Sequence, residues 1–166
     1  MAEEKTSRAA TTDDLLRVIR ALNEQGADYL LVGGYALYAH GYQRATTDID
    51  ILVPSTRESA TRVTQALLLL PDRAAGQIDP AWFEEGNTIR VADEFVVDVM
   101  FNACGESYES LLPHAQTVIL DDGTPVKTID LEGLLKTKQT VRGKDAGDRL
   151  ALERALEELK RRNPHG

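Results

Sequence analysis

The stretch that decides the fold is LLVGGYALYAHGYQRATTDIDILV, which runs from Leu30 to Val53. It opens with an apolar run without polar alternation, which is typical of a central strand covered on both faces. Gly33 and Gly34 end this run, and a short helix is predicted to begin at them. The stretch closes with a second apolar strand that ends before Pro54 and contains two aspartates. Because aspartate is depleted in strands, this pair requires an explanation.

Asp48 and Asp50 are separated by one residue in the second strand. Since strand side chains alternate between faces, both carboxylates share a face with Leu52, about 6–7 Å apart, and Ile49 and Ile51 take the opposite, apolar face. Like charges this close repel each other, and a divalent cation with hard oxygen ligands, such as Mg²⁺, would relieve the repulsion. The alternative interpretation is a pair of exposed aspartates on a half-solvated edge strand.

A third carboxylate lies in the later apolar strand FVVDVMF, where Asp98 shares a face with Val96 and Met100. If this strand lies beside the Asp48/Asp50 strand, the three carboxylates meet. Such a cluster could hold one or two metal ions for phosphoryl or nucleotidyl transfer. The alternative is an isolated aspartate that hydrogen-bonds to a neighbouring loop.

The Gly33-Gly34 pair follows one strand and opens a helix. Without side chains, such a turn lets backbone N–H groups approach a phosphate closely, although a plain tight turn is the commoner explanation of a Gly-Gly pair. No Gly-Lys-Ser/Thr follows, so the turn is not a Walker loop. It also lacks the G-x-G-x-x-G spacing of a dinucleotide-binding turn.

The remaining pattern predicts the order α-β-α-β-α-β-β-β-β-α-α. This order indicates an α/β or α+β fold with a small mixed sheet flanked by helices. Hairpins are predicted within residues 87–101 and 117–129, the second around an Asp-Gly turn. Two closing helices are predicted within residues 130–162, and residues 1–10 are expected to be disordered.

Local signals define the first and third helices and leave one segment unassigned. The first helix is predicted to be capped by Thr11 or Thr12 and to stop at Gly26. Ser55 is the predicted N-cap of the third helix, and Glu58 would complete a capping box. The segment 71–86 reads as a loop.

The bulk composition narrows the class of protein. At 166 residues the chain is expected to form a single domain, and its formal net charge of −8 argues against a broad nucleic-acid-binding face. One cysteine excludes an internal disulfide. No apolar run is long enough to span a bilayer and no secretory signal is visible, so we expect a cytoplasmic protein without a membrane contact.

The sequence resembles the DNA polymerase β-like nucleotidyltransferase superfamily. The elements that carry this resemblance are Gly33-Gly34, the Asp48-Ile49-Asp50 run and Asp98. The finer pattern GGYALYAHGYQRATTDIDILV is most similar to small bacterial AbiEii-type nucleotidyltransferases, and it is also similar to the start of aminoglycoside nucleotidyltransferases. The tail DLEGLLKTKQTVRGKDAGDRLAL matches the end of the small proteins, so the resemblance covers roughly residues 29–152.

The resemblance implies a polymerase β-like fold and a role for each matching residue. Asp48, Asp50 and Asp98 would bind two Mg²⁺ ions, and Asp98 would also act as general base. The residues implied to contact the nucleotide triphosphate are Gly33, Gly34, Arg44 and Lys138. The usual Gly-Ser of many members is Gly-Gly here, and no large separate substrate domain is visible, which leaves the acceptor open.

The implied activity is Mg²⁺-dependent transfer of a nucleoside monophosphate from an NTP to an acceptor hydroxyl. AbiEii-type members serve as toxins of toxin–antitoxin systems, which implies RNA or tRNA as the acceptor and an antitoxin protein as partner. Two alternatives remain: a non-catalytic module that binds a nucleotide or a partner protein, and a small-molecule nucleotidyltransferase of the aminoglycoside-modifying kind.

Overall fold

The computed structural model describes residues 7–41 and 47–137, together with residues 153, 154 and 157. The α-helices within the two continuous ranges are α1 (Thr12–Glu24), α2 (Gly33–Ala39), α3 (Arg57–Leu67), α4 (Ala81–Glu85), α5 (Tyr108–Leu111) and α6 (Leu131–Lys136). The strands are β1 (Leu30–Val32), β2 (Asp48–Leu52), β3 (Ile89–Ala92), β4 (Val96–Met100), β5 (Ala115–Ile119) and β6 (Pro125–Ile129).

The six described strands form one mixed sheet in the order β3-β4-β2-β1-β6-β5. The pairs β2–β4 and β1–β6 are parallel, and the other neighbours are antiparallel. This architecture confirms a mixed α/β fold with a small sheet flanked by helices. The central position of β1 agrees with its uninterrupted apolar sequence, since all three of its residues are buried.

The core lies between the sheet and its covering helices. Helix α1 packs against α3, and its buried stripe is made of residues at helical spacing, including Leu15, Val18, Ile19 and Leu22. Helix α2 packs across β1, β2 and β6, which fixes the start of this helix relative to the central strands. No described helix has the length and apolar character that crossing a bilayer requires.

The predicted limits of the first helix are confirmed. The Thr11 side chain accepts a hydrogen bond from the Asp14 N–H and the Asp14 carboxylate accepts one from the Thr11 N–H, which forms a capping box. Gly26 follows the helix with φ = 64°, the left-handed conformation that ends many helices.

The predicted cap of α3 is wrong by one residue. Thr56, not Ser55, caps the helix, and its side chain accepts a hydrogen bond from the Ser59 N–H. The hydroxyl of Ser55 instead donates to the carbonyl oxygen of Phe83. Glu58 therefore does not occupy the position that a capping box requires, because a contact with a distant part of the chain has moved the cap.

The segment 71–86, predicted to be a loop, contains a 3₁₀ turn at Ala74–Gln77 and helix α4. Both are held by core contacts, since Ala75 and Phe83 are fully buried. The ring of Phe83 meets that of Phe101 edge-on at 5.0 Å between centroids. One buried aromatic thus orders a short helix that has too few residues to show a periodic pattern.

The expectation of disorder for residues 1–10 does not hold for the four of these residues that the structure describes. The N–H of Arg8 donates to the carbonyl of Glu94 at 3.0 Å, and the N–H of Ala10 donates to that of Thr47 at 2.9 Å. Of the closing helices predicted within 130–162, α6 is described as far as Lys136, and residues 153, 154 and 157 are helical. The rest of that prediction lies outside the described residues.

Candidate functional site

The sheet brings the three sequence-predicted carboxylates to one face. Strands β2 and β4 are parallel neighbours, with Asp48 opposite Val96 and Asp50 opposite Asp98. Side chains in register on paired strands point to the same side of a sheet, and residues two apart on one strand do so as well. Asp48, Asp50 and Asp98 therefore share one face, with Asp48 at the start of β2 and Asp50 and Asp98 in the middle of their strands.

The opposite face of the same strands is apolar core. Ile49, Ile51, Val97 and Val99 are all fully buried. This alternation fixes the register, because a slip of one residue would turn the carboxylates into the core and the isoleucines to solvent. The carboxylates themselves are half-buried, with the side chains of Asp48 and Asp98 exposed by 29% and 16%.

Gly33 lies directly beside Asp50. Val32, the last residue of β1, pairs with Asp50 across the antiparallel β1–β2 ladder, and Gly33 follows with φ = 72°. A Cβ atom at Gly33 would collide with the Asp50 carboxylate, lying 3.2 Å from its Cγ. Glycine is therefore required here twice, once by the left-handed backbone and once by the carboxylate that occupies the side-chain position.

Arg90 is a charged member of this site that the sequence analysis missed. Its Nη2 donates to Oδ2 of Asp48 at 2.7 Å, and its Nε donates to Oδ1 of Asp98 at 3.1 Å. Nη2 also lies 3.5 Å from Oδ2 of Asp98. One guanidinium thus bridges two carboxylates that belong to different strands.

The position of Arg90 follows from the β3–β4 hairpin, in which Arg90 pairs directly with Asp98. The sequence contained this signal, because a tight turn near Asp93 places residues 90 and 98 opposite each other. The pKa of Arg90 is raised, mainly by its hydrogen bond to Asp98. The negative charges of Asp98 and Asp48, and less strongly that of Asp50, raise it further. The guanidinium therefore stays protonated at any pH at which the protein is folded.

The arrangement supplies the donor type that Mg²⁺ prefers, since carboxylate oxygens from neighbouring strands face the same space. Within residues 7–41 and 47–137, however, no three His, Cys, Asp or Glu side chains converge closely enough to hold a metal ion as they stand. The cationic guanidinium of Arg90 lies between Asp48 and Asp98, and the missing side chain at Gly33 leaves room for the Asp50 carboxylate. The residues thus have the donor chemistry that suits Mg²⁺, although the described carboxylates do not converge on one point.

Of the other residues predicted to contact the nucleotide, the structure describes only Gly33 and Gly34. Gly34 is the second residue of α2 and adjoins Gly33 at the same corner of the sheet. Arg44 and Lys138 lie outside the described residues, so their predicted contacts with a triphosphate stay predictions. Neither a protein-family model nor a curated protein matches the sequence.

Proposed function

We propose that the protein is a metal-dependent nucleotidyltransferase. It would move a nucleoside monophosphate from an NTP to an acceptor hydroxyl and release pyrophosphate. The observation that carries this proposal is the register of β2 and β4, which aligns Asp50 with Asp98 and leaves Asp48 on the same face. Carboxylates on one face of neighbouring strands repel one another, and a divalent cation with oxygen ligands would relieve that repulsion.

Asp48, Asp50 and Asp98 would hold the magnesium ions, for which two sites are expected from the resemblance. Bound Mg²⁺ would stabilise the negative charge that develops on the attacking and leaving oxygens. The Asp98 carboxylate would accept the proton of the acceptor hydroxyl, whose oxygen then forms a bond to the α-phosphorus. The bond from that phosphorus to the bridging oxygen of the β-phosphate breaks, and pyrophosphate leaves with the electron pair.

The corner at Gly33 and Gly34 would receive the triphosphate. Its backbone borders Asp50, and no side chain at Gly33 separates it from that carboxylate. Arg44 and Lys138 are proposed to supply positive charge to the phosphates, as the resemblance implies. The acidic net charge of −8 argues against a broad nucleic-acid surface, so an RNA acceptor would have to bind through a local site. Among acceptors we propose RNA, such as tRNA, first and a small hydroxylated molecule second.

Thermal melting with each of the four NTPs tests this function. We expect a Mg²⁺-dependent rise in melting temperature for at least one nucleotide, because a ligand at 100 times its Kd stabilises the folded state by about 2.7 kcal/mol. The double variant Asp48→Asn/Asp50→Asn should lose the shift while still melting cooperatively. The absence of a shift with any NTP, in a wild-type protein that melts cooperatively, would contradict the proposal.

One observation favours a second candidate. Arg90 already pairs with Asp48 and Asp98 without a metal, as it would in a fold that binds a nucleotide or a partner protein but performs no transfer. Transfer is distinguished from binding by incubation with α-³²P-labelled NTP and total RNA. Label in RNA together with pyrophosphate release supports the enzyme, whereas a Mg²⁺-dependent melting shift without pyrophosphate release supports the binding module.

A further inference from the structure

Arg90 occupies the place where the proposed metal would have to bind. Its guanidinium contacts Oδ2 of Asp48 at 2.7 Å and faces both carboxylate oxygens of Asp98 at 3.1 and 3.5 Å. Mg²⁺ coordinates carboxylate oxygens at about 2.0–2.1 Å and tolerates little deviation from octahedral geometry. A metal ion at Asp48 and Asp98 would therefore lie close to the guanidinium, and two cations side by side repel each other.

Arg90 is also placed to move. It lies on β3, the edge strand of the described sheet, and its side chain is 60% exposed although it makes two carboxylate contacts. Exposed ion pairs are weak, because water and salt screen them and holding long side chains costs entropy. A divalent ion at the carboxylates can therefore displace the guanidinium, whereas a fully buried pair would resist displacement.

A displaced Arg90 would remain beside the site, because its backbone is held in the β3–β4 ladder opposite Asp98. The displaced guanidinium then requires a new anionic partner, and a metal-bound polyphosphate would bring negative charge to this position. The planar fork of arginine matches phosphate oxygens with two parallel hydrogen bonds. The same side chain can thus pair with the carboxylates in the free protein and with the phosphates in the complex.

We propose that Arg90 is an exchangeable counter-ion, which holds Asp48 and Asp98 in the metal-free protein and passes to the polyphosphate of the substrate when metal binds. The inference rests on the proposed function and adds to it a substrate-binding residue. It makes the metal and the polyphosphate cooperative ligands, since the metal frees the group that the phosphates require.

The test measures two ligands separately on wild type, Arg90→Gln and Arg90→Lys. The first is Mn²⁺ alone, followed by electron paramagnetic resonance as a spectroscopic stand-in for Mg²⁺. The second is magnesium tripolyphosphate at fixed excess Mg²⁺, followed by calorimetry, which avoids any dependence on the base. Arg57→Gln is the matched control, because Arg57 also forms an exposed ion pair, with Glu84 at 2.6 Å, and lies away from the carboxylates.

In Arg90→Gln we expect Mn²⁺ to bind about three- to tenfold more tightly and magnesium tripolyphosphate about tenfold more weakly. Arg90→Lys keeps the charge but not the fork, so both changes should be smaller in it. Arg57→Gln should change neither affinity. Opposite changes are the signature, because a merely structural role for Arg90 would weaken both ligands together.

The outcomes separate this inference from the proposed function. If wild type and Arg90→Gln bind Mn²⁺ equally, or if both ligands weaken, the exchange is refuted while a metal-dependent function stands. If neither protein binds Mn²⁺ nor magnesium tripolyphosphate, the proposed function fails and the inference fails with it. Thermal melting of each variant without ligand shows that the affinities are those of a folded protein.

Discussion

Two clusters of aspartate and arginine in this molecule have similar chemistry and different structures. At the start of α1, the Asp14 side chain is 4% exposed and receives hydrogen bonds from both terminal nitrogens of Arg8, at 2.5 and 3.0 Å, and from Thr11. On the sheet, Arg90 is 60% exposed and is shared between Asp48 and Asp98, while Asp50 adds a further negative charge nearby.

The exposure of the arginine distinguishes a carboxylate that stabilises the fold, Asp14, from the carboxylates on the sheet, which we propose to bind a ligand. Asp14 is nearly excluded from water, and the donors around it are supplied by its own helix cap and the adjacent chain. Asp48 and Asp98 face a cation on an edge strand, and that cation is 60% exposed to water. Asp14 should therefore matter for stability and the sheet carboxylates for binding.

Substitution of Asp98 should have the greatest effect, and it tests directly whether the sheet carboxylates serve binding rather than stability. Asp98→Asn should lower the rate of the proposed nucleotidyl transfer about a thousandfold, because it removes the proposed metal ligand and proton acceptor. Its free energy of unfolding should change by less than about 1 kcal/mol, since the partner in the lost ion pair, Arg90, is 60% exposed and stays solvated. The measurements are pyrophosphate release with the NTP identified by melting, and urea denaturation.

Asp14→Asn is the comparison variant for this experiment. It should lose stability and keep the transfer rate, which is the reverse pattern. If Asp98→Asn is instead as unstable as Asp14→Asn and loses activity only in proportion to unfolding, the two clusters do the same job and the division is wrong.

The next largest effect concerns Gly33, which joins the sheet carboxylates to the start of α2. Gly33→Ala should destabilise the protein by about 2–3 kcal/mol, because a left-handed alanine costs about 1–2 kcal/mol and its Cβ would also displace the Asp50 carboxylate. Gly123→Ala is a matched control, since Gly123 has φ = 89° and no atom within 4 Å of the added Cβ.

The control isolates the backbone cost, and the excess at Gly33 measures the contact with Asp50. Urea denaturation gives both values. An equal loss in the two variants would show that the Asp50 carboxylate moves aside freely, which would remove the argument that Gly33 shapes the site.

Much of this site could be predicted from the sequence because it depends on alternation within strands. The Asp48-Ile49-Asp50-Ile51 run fixes which side chains share a face, and the apolar strand around Asp98 has to lie near the sheet centre, where β2 also lies. The role of Arg90 was missed because it depends on hairpin register. One residue more or less in the turn would have given Asp98 another partner.

The errors elsewhere have a common cause in contacts between distant residues. Ser55 is as good an N-cap as Thr56 by local rules, but its hydroxyl is engaged by the Phe83 carbonyl. Helix α4 has only five residues and begins after Pro80, so its order derives from the burial of Phe83. By contrast, the cap at Thr11 was predicted correctly because Asp14 completes it within the same turn.

The pH dependence of stability should show a smaller effect, which tests the structural role of Asp14. The hydrogen bond from Arg8 is the main cause that lowers the pKa of Asp14 from 3.8 to about 2, against the effect of burial. A depressed carboxyl pKa stabilises the folded state above the unfolded pKa, and this stabilisation is lost as the pH falls through the folded pKa. Asp14 should thus contribute roughly 2 kcal/mol at pH 6 that disappears between about pH 4.5 and pH 2.

Urea denaturation of wild type and Asp14→Asn across this range measures the contribution as a difference. The two free energies of unfolding should converge by about 2 kcal/mol on acidification, because protonated Asp14 resembles asparagine in charge. Asp13→Asn makes the same change at the exposed neighbouring position in the first turn of α1, and should cost only a few tenths of a kcal/mol through the helix dipole. Curves for wild type and Asp14→Asn that stay parallel down to pH 2 would mean that Arg8 does not hold Asp14. Asp14 would then no longer serve as the example of a carboxylate that stabilises the fold, and its contrast with the sheet carboxylates would fail.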